Sequence, residues 1–282
     1  MSGCSTCPSQ DKCSSKLTLG SQGCGKLHPK HGVIKNIIGV ISGKGGVGKS
    51  TVTGILASTL RKKGYKVGVL DADITGPSMP RFFGINNKRA NVEPLDESGN
   101  EFKYYPVLSK GGVKVISMNL LLPKEDEPVV WRGPVVTSVL TQLFTDTAWE
   151  ELDYLLIDMP PGTSDITLTV MQSFPITELV IVSTPQDMVS MIVKKVISMA
   201  NKMSVPIRGV VENMSYINCP GCDTKIKVFS KKSAEEHAEY LDVPLLGELP
   251  INVDLTEALE EGNAEGYVVN NDLYSLIFEG LY

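Results

Sequence analysis

The segment Gly43–Ser50 constrains the fold of this 282-residue chain more than any other. It reads GKGGVGKS and fits the phosphate-binding pattern GxxxxGK[ST]. The apolar run Ile37–Ser42 before it is typical of a buried strand, and Lys49–Lys63 after it has the apolar spacing of a helix. A glycine-rich turn between strand and helix lets backbone N–H groups surround a polyphosphate. The sequence therefore predicts a nucleotide-binding loop.

Two lysines in this loop have different expected roles. We expect Lys49 to reach the β- and γ-phosphates and the Ser50 hydroxyl to ligate Mg²⁺. Lys44 stands where an ordinary phosphate loop tolerates almost any residue. It could neutralise charge in trans, at the phosphates of a facing subunit, or be a solvated loop lysine, and its position alone favours neither. The loop residues expected to bind nucleotide are Gly43, Lys44, Gly45, Gly46, Val47, Gly48, Lys49, Ser50 and Thr51.

Two carboxylates follow the next apolar run. Val67–Leu70 reads as a strand and leads directly into Asp71 and Asp73. Ligands bind at the carboxyl ends of strands in open α/β sheets. We expect Asp73 to orient the attacking water and Asp71 to support Mg²⁺ or the loop.

A third carboxylate follows the apolar strand Tyr154–Ile157. Asp158 is placed to hold Mg²⁺, as a Walker B aspartate does. Gly162, four residues later, could bring its backbone N–H against the γ-phosphate because no side chain obstructs it. Each aspartate alone could be a cap or turn residue, but three such strand ends in this order predict a nucleotide site.

The rest of the chain indicates one α/β domain preceded by a short segment. Strands alternate with helices, which predicts a single doubly wound, mostly parallel sheet of P-loop NTPase type with helices on both faces. The predicted division is a Cys-rich flexible segment at residues 1–32 and an ATPase domain at residues 33–282. Further expected elements are a hairpin over residues 91–107, strands at 113–117, 179–183 and 208–211, and helices near 134–144 and 186–203.

The net charge and the hydropathy of the chain argue against nucleic-acid binding and membrane insertion. A net charge of −5 argues against a general nucleic-acid binder. No apolar run has the length of a membrane span, and the amino terminus has no apolar signal core. We expect a cytoplasmic protein that binds neither membrane nor nucleic acid, with reduced cysteines available for metal.

Two cysteines form a separate motif, Cys219-Pro220-Gly221-Cys222. The Pro/Gly turn directs both sulfurs to one side, but two thiolates cannot complete a four-coordinate site. A two-fold dimer would supply four, enough for a bridging [4Fe–4S] cluster. Zinc with the same ligands is the main competitor, and spacing alone does not separate them. A redox CxxC is less favoured, since that motif normally opens a helix after a strand.

Six motifs together resemble the Mrp (ApbC-like) iron–sulfur carrier ATPases, a branch of the deviant-Walker ATPases that includes the MinD and ParA types. The motifs are GKGGVGKS (43–50), DADITGPS (71–78), WRGP (131–134), DYLLIDMPPGTSD (153–165), VENMS (211–215) and CPGC (219–222). The first and fourth indicate only the superfamily. The sequence GPS after DxD, and CPxC soon after ENMS, point to the Mrp branch.

The resemblance implies an ATP-hydrolysing carrier or scaffold. Such a homodimer assembles a labile [4Fe–4S] cluster at its interface and transfers it to apo-proteins. By resemblance, Lys44 is the trans-acting signature lysine, Asp73 the switch residue near the attacking water and Asp158 the Walker B residue. Asn213 matches the position that reads adenine, which favours ATP as the nucleotide. The resemblance as a whole implies ATP, Mg²⁺ and a [4Fe–4S] cluster as cofactors.

The amino-terminal segment contains four more cysteines, Cys4, Cys7, Cys13 and Cys24. The spacing of the first three resembles the amino-terminal cluster motif of the cytosolic scaffold branch of the family. That branch has a further cysteine upstream, whereas here Cys24 would have to serve as the fourth ligand. The segment is a candidate second cluster site, and the alternative is a disordered tail that binds metal opportunistically.

The competing hypothesis is a MinD- or ParA-type positioning or regulatory ATPase with structural zinc. A MinD-type anchor needs a basic amphipathic helix. No Lys or Arg follows Lys232 in this chain, while acidic residues are frequent. Leu273, Leu276, Ile277 and Leu281 could line a terminal helix, and we expect that helix to pack on the domain.

Overall fold

An eight-stranded sheet lies at the centre of the part of the chain that the computed structural model describes, residues 25–74, 76, 78–96, 101–123, 133–222 and 224–278. The strand order is β12-β9-β8-β1-β7-β2-β6-β5. Neighbouring strands run parallel except for the antiparallel edge pair of β5 and β6. The predicted α/β fold of P-loop NTPase type is confirmed.

The strands and helices alternate along most of the sequence. The strands are β1 (His31–Ser42), β2 (Val67–Asp71), β3 (Asn91–Pro94), β4 (Phe102–Tyr105), β5 (Val107–Leu108), β6 (Lys114–Ser117), β7 (Ala148–Asp158), β8 (Glu178–Ser183), β9 (Ile207–Glu212), β10 (Ile217–Asn218), β11 (Lys225–Ile226) and β12 (Leu245–Glu248). The α-helices are α1 (Lys49–Lys62), α2 (Met79–Phe82), α3 (Gly133–Thr145), α4 (Asp165–Ser173), α5 (Asp187–Lys202), α6 (Ala234–Leu241), α7 (Val253–Glu260), α8 (Ala264–Val269) and α9 (Asp272–Ile277).

Burial of both sheet faces explains the continuous apolar strands. All five residues of β2 are buried, as are the last six of β1. A parallel sheet covered by helices on both faces needs such unbroken apolar runs. The first half of β1 alternates instead between partly buried and exposed residues, and the strand starts at His31, six residues before the predicted start.

The predicted elements agree with the structure to within a few residues. The predicted hairpin is β3 paired antiparallel with β4, and its turn at residues 97–100 lies outside the described residues. The three predicted strands correspond to β6, β8 and β9, and the two predicted helices to α3 and α5.

Both ends of the described chain pack on the domain. The backbone N–H of Leu27 donates to Ser173 O at 2.8 Å, and Lys30 forms an ion pair with Asp146 at 2.8 Å. Tyr274 and Phe278, in and after α9, are buried. The carboxyl-terminal helix therefore packs on the domain, as expected. Among the described residues, no helix has the length and apolarity needed to cross a bilayer.

Candidate nucleotide site and cysteine hairpin

The phosphate-binding turn joins β1 to α1 through two glycines in the left-handed region. Gly46 has φ 78° and Gly48, which caps α1, has φ 79°. A side chain at Gly48 would also be obstructed, because its Cβ would lie 2.1 Å from Asn213 Nδ2. The turn presents the amino end of α1, where unpaired N–H groups and the helix dipole favour an anion.

The Lys49 ammonium lies at the centre of a buried charged cluster. Its Nζ lies 2.8 Å from Asp158 Oδ2 and 3.7 Å from Asp73 Oδ2. The Ser50 hydroxyl donates to Asp158 Oδ2 at 2.6 Å, and the Thr53 hydroxyl donates to Asp158 Oδ1 at 2.8 Å. The structure thus brings together the residues expected to bind phosphate and Mg²⁺. Ser50 and Asp158 present two oxygens side by side, a donor set that suits this hard cation.

Asp71 faces the interior beside this cluster. It pairs with Asp158 across β2 and β7 and is 1% exposed. Its carboxyl accepts hydrogen bonds from the Ser117 hydroxyl at 3.1 Å and from the Met79 N–H at 3.3 Å. Burial, reinforced by the charge of Asp158, raises the pKa of Asp71 to about 8. Asp71 therefore anchors the loop that follows β2, which is one of the two roles predicted for it.

Asp73 lies on the solvent side of the same strand end. Its N–H donates to Asp71 Oδ1 at 3.2 Å, which ties the loop after β2 to the sheet. Its carboxylate points toward Lys49, at the entrance to the cluster. Thr75 and Pro77, from the same motif, lie outside the described residues.

Lys44 is directed away from its own loop. Its Nζ donates to Gln186 Oε1 at 3.1 Å, at the start of α5. The nearby Thr184 hydroxyl is buried and has no hydrogen-bond partner among the described residues. Gln186, in this Thr-Pro-Gln segment, thus holds the Lys44 ammonium within its own chain.

Asn213 is attached directly to the phosphate-binding turn. Its side-chain Nδ2 donates to Val47 O at 2.9 Å, and its N–H donates to Ser183 O at 2.8 Å. The following residue, Met214, has φ 56°, an uncommon conformation for a residue with a side chain. The proposed adenine-reading role therefore falls on a residue that also positions the loop.

Gly162 approaches the loop from the other side. It has φ 75°, and its N–H donates to Ser42 O at 2.8 Å. A contact of this N–H with a γ-phosphate, as predicted, would require that hydrogen bond to break.

The two cysteines of the CPGC motif lie on a small exposed hairpin, which we call the cysteine hairpin (residues 216–226). Its strands β10 and β11 pair antiparallel, Ile217 with Ile226 and Asn218 with Lys225. The Cys219 N–H donates to Thr224 O at 3.0 Å and closes the turn. Cys219 is partly buried and Cys222 is exposed, and both are free thiols.

Thr224 tunes the exposed thiol. Its Oγ1 lies 3.3 Å from Cys222 Sγ. Hydrogen bonds from the side chain and then the backbone of Thr224, and from Cys219, lower the pKa of Cys222. A lowered pKa increases the thiolate fraction, the form that binds metal. Ile226, Val228 and Phe229 are exposed around the motif.

Some expected site residues lie outside the described residues. They are Cys4, Cys7, Cys13 and Cys24, the candidate ligands of a second cluster. Trp131 and Arg132, from the WRGP motif that carries the family resemblance, also lie outside them.

The sequence analysis missed Thr53 in the nucleotide site and a buried pair that lies outside that site. Thr53 lies one helical turn after Lys49, a spacing that could have suggested that both face the same carboxylate. The buried pair of His237 and Glu212, with Nδ1 and Oε2 2.6 Å apart, joins residues that no local pattern connects.

Comparisons with known proteins show the family of this chain. Residues 33–278 match the family model ParA, described as NUBPL iron-transfer P-loop NTPase. The chain is 70% identical, over all of both chains, to an iron-sulfur cluster carrier protein of Clostridium perfringens. It is 43% identical to one from Methanocaldococcus jannaschii, over 92% of this chain and 87% of the other.

Solved structures show the same architecture. A nucleotide-binding protein of Archaeoglobus fulgidus, in complex with ADP, has 40% identity and a TM-score of 0.71, over 83% of this chain and 89% of that chain. The septum site-determining protein MinD of Pyrococcus horikoshii, with Mg-ADP, has 22% identity and a TM-score of 0.59, over 87% and 93%. The second similarity concerns the fold alone.

Proposed function

The chain belongs to the ParA family of NUBPL-type iron-transfer P-loop NTPases, and from this premise we propose that it is an ATP-dependent carrier of iron–sulfur clusters. As a homodimer it would hold a labile [4Fe–4S] cluster between two cysteine hairpins and pass it to apo-proteins. The observation that carries the proposal is the pair of free thiols on the cysteine hairpin, Cys219 partly buried and Cys222 exposed with a lowered pKa, in a chain with a complete phosphate-binding loop.

The nucleotide part of the proposal rests on the cluster around Lys49. Phosphate oxygens would compete for Lys49, which is held by Asp158 at 2.8 Å. When Lys49 turns to the phosphates, Asp158 and the Ser50 hydroxyl are free to hold Mg²⁺. Bound there, Mg²⁺ would neutralise charge on the β- and γ-phosphates. Asp73, at the entrance, would orient the attacking water.

Lys44 would complete the site of a facing subunit. Its ammonium is held by Gln186 in its own chain, 3.1 Å away. We propose that dimer formation exchanges this hydrogen bond for a phosphate of the partner, so that hydrolysis needs two copies. A cation supplied in trans typically contributes about 10³- to 10⁵-fold to turnover in such enzymes.

The cluster part of the proposal rests on incomplete coordination. One cysteine hairpin offers two sulfurs, and a [4Fe–4S] cluster takes four. A second copy related by two-fold symmetry would supply the other two. It would also cover the exposed apolar side chains Ile217, Ile226, Val228 and Phe229, which otherwise remain in water beside the motif.

The lysines of the same segment favour an anionic cargo. Four exposed lysines follow Cys222 within ten residues, Lys225, Lys227, Lys231 and Lys232, in a chain whose net charge is −5. A cluster bound by four thiolates carries net negative charge, which these ammonium groups would offset. Two such surfaces without a cluster would repel each other, so the cargo would strengthen the dimer.

Cluster transfer tests the proposal directly. The wild-type protein, reconstituted anaerobically with iron and sulfide, is mixed with an apo-dehydratase whose activity depends on a [4Fe–4S] cluster. We expect the wild type to restore activity, and Cys219→Ser/Cys222→Ser, loaded under the same conditions, to restore far less. Equal transfer by both proteins would contradict the assignment of the cargo to the cysteine hairpin.

A further inference from the structure

Glu212 is a buried carboxylate that neither ATP hydrolysis nor cluster binding explains. It ends β9 and is 3% exposed. Carboxylates are almost never fully buried unless they are paired, and Glu212 has two side-chain partners. Glu212 Oε2 lies 2.6 Å from His237 Nδ1, and Glu212 Oε1 accepts from the Ser215 hydroxyl at 2.8 Å.

One partner of Glu212 leads to the cysteine hairpin, and the other leads to the chain that follows it. The Ser215 hydroxyl also lies 2.8 Å from Glu248 Oε1, and Glu248 Oε2 lies 4.0 Å from Lys225 Nζ on β11. The other branch runs from His237 Nε2 to the hydroxyl of Ser230, 3.4 Å away and four residues after the hairpin. Two separate routes therefore start at Glu212, one reaching Lys225 in the hairpin and the other reaching Ser230 just beyond it.

Glu212 also directly precedes a residue of the nucleotide site. Asn213, the next residue, binds the Val47 carbonyl in the phosphate-binding turn at 2.9 Å. Met214, between Asn213 and Ser215, has φ 56°. A residue with a side chain holds this conformation only where its surroundings impose it. Residues 212–215 thus contact the nucleotide loop through Asn213, while Glu212 and Ser215 begin the two routes to Ser230 and Lys225.

Ser215 has the properties of a two-position element. Its hydroxyl has a single hydrogen and lies at equal distance from two carboxylates. It can donate to only one of them at a time. A small shift of the nucleotide loop, transmitted through Asn213, could change which carboxylate receives the hydrogen and so change how Glu248 holds Lys225.

We propose that Glu212, Ser215, Glu248, His237 and Ser230 form a coupling network that sets the position of the cysteine hairpin according to the nucleotide bound at the loop. Ser215 and Ser230 are positioning residues, since they touch neither nucleotide nor cargo. The proposal rests on the proposed function only in taking the hairpin as the cargo site. The proposal predicts that the exposure of the Cys219 and Cys222 thiols changes when nucleotide binds.

Thiol alkylation in the full chain without cluster tests this network independently of cargo. Iodoacetamide labelling of the peptide that contains Cys219 and Cys222 is followed by mass spectrometry, which separates it from the amino-terminal cysteines. Rates are measured without nucleotide, with MgADP and with a magnesium-bound, non-hydrolysable ATP analogue. For the wild type we expect the fastest and slowest of these rates to differ by about fivefold, the low end of typical coupling between sites.

Three variants separate coupling from simple loosening. Ser215→Ala cuts the Lys225 branch, Ser230→Ala cuts the His237 branch, and Ser198→Ala makes the same change on the exposed face of α5. We expect the ratio of rates to fall toward one in Ser215→Ala, to fall less in Ser230→Ala and to stay unchanged in Ser198→Ala. A purely structural role would change all rates together and leave their ratio intact. Nucleotide affinity, measured on the same samples, shows that the site is occupied.

The outcomes distinguish this inference from the proposed function. A ratio of one in the wild type, or a wild-type ratio in both cut variants with nucleotide bound, would overturn the coupling network. If Ser215→Ala does not fold, the double variant Ser230→Ala/Lys225→Gln replaces it, because it removes the far end of both branches. Ser230→Ala alone is then the single-branch comparison. A protein that shows the ratio but binds no cluster would retain the network and refute the carrier.

Discussion

The nucleotide site and the cysteine hairpin differ in burial and in how much of each site one subunit supplies. The nucleotide site is buried, and Lys49, Ser50, Thr53 and Asp158 satisfy one another within a single subunit. The cysteine hairpin is exposed, consists of two short strands and offers two thiols, half of the ligands that the proposed cluster needs. Polar groups held in place by one another suit a site that acts on phosphates. An exposed, incomplete ligand set would suit the release of a cargo, as the proposed function requires.

The largest effect expected on the nucleotide side comes from Lys44, the one member of that site directed away from it. Lys44→Ala should lower the rate of ATP hydrolysis by about 10³-fold, because the partner's phosphates lose a cation. Nucleotide affinity should change little, since Lys49 and the backbone N–H groups remain. Steady-state turnover and equilibrium binding measure the two quantities.

Lys195→Ala is the matched control, since it removes an exposed lysine from α5. It should turn over at the wild-type rate. Unchanged turnover in Lys44→Ala would show that each subunit hydrolyses ATP alone, and the nucleotide site would then be complete in one chain.

Substitution of one glycine in each region compares how tightly the phosphate-binding loop and the cysteine hairpin are packed. Gly48→Ala should lower the free energy of unfolding by about 3 kcal/mol, from backbone strain at φ 79° and a Cβ placed 2.1 Å from Asn213 Nδ2. Gly221→Ala, in the cysteine motif, meets nothing within 4 Å and should stay within about 0.5 kcal/mol. Urea unfolding of both variants without nucleotide measures the difference. Equal destabilisation would mean that the hairpin is as tightly packed as the loop.

Asp71 makes the buried site sensitive to pH. Its pKa is raised to about 8 by burial and by Asp158, against an ordinary value of 3.8. Between pH 4 and 8 the folded carboxyl keeps its proton while the unfolded one ionises. The free energy of unfolding should therefore fall as pH rises, by up to about 1.4 kcal/mol per pH unit from this group.

Asp71→Asn removes this titration. The difference in free energy of unfolding between wild type and variant, measured in EDTA without nucleotide, should shift in favour of the variant from pH 4 to pH 8. A difference independent of pH would show that Asp71 is ionised in the folded protein.

The smallest effect on subunit stability is expected at the apolar face of the hairpin. Ile226→Thr changes a side chain that is 49% exposed and should alter the free energy of unfolding by less than about 0.5 kcal/mol. Association of cluster-loaded subunits should nevertheless weaken, because this face would be covered in the dimer. Sedimentation of the loaded protein checks the association, and an unchanged dimer would exclude this face from the interface.

The sequence predicts what depends on local pattern. The alternating strands and helices follow from spacing and apolar runs, and the structure confirms them. The structure also places Asp71 and Asp158 at the ends of β2 and β7, while their roles toward nucleotide and Mg²⁺ stay predictions. The earlier start of β1 escaped prediction because residues 31–36 alternate in burial and do not continue the apolar run that predicts the strand.

Contacts between distant segments could not be predicted. The Lys44–Gln186 hydrogen bond joins residues 142 positions apart, and the Glu212–His237 pair closes only when β9 and α6 meet. The hydrogen bond from the Gly162 N–H to Ser42 O joins residues 120 positions apart, and the contact of this N–H with phosphate stays a prediction.

Metal analysis of the wild type beside Cys219→Ser/Cys222→Ser tests the central claim most directly. Both proteins are purified and reconstituted anaerobically, and iron, sulfide, zinc and subunit mass are measured. We predict a wild-type dimer that holds about four more iron and four more sulfide atoms than the variant, as one shared [4Fe–4S] cluster requires. Iron that remains in the variant would belong to the amino-terminal cysteines. Equal iron in both proteins, or zinc alone at the cysteine hairpin, would contradict the account.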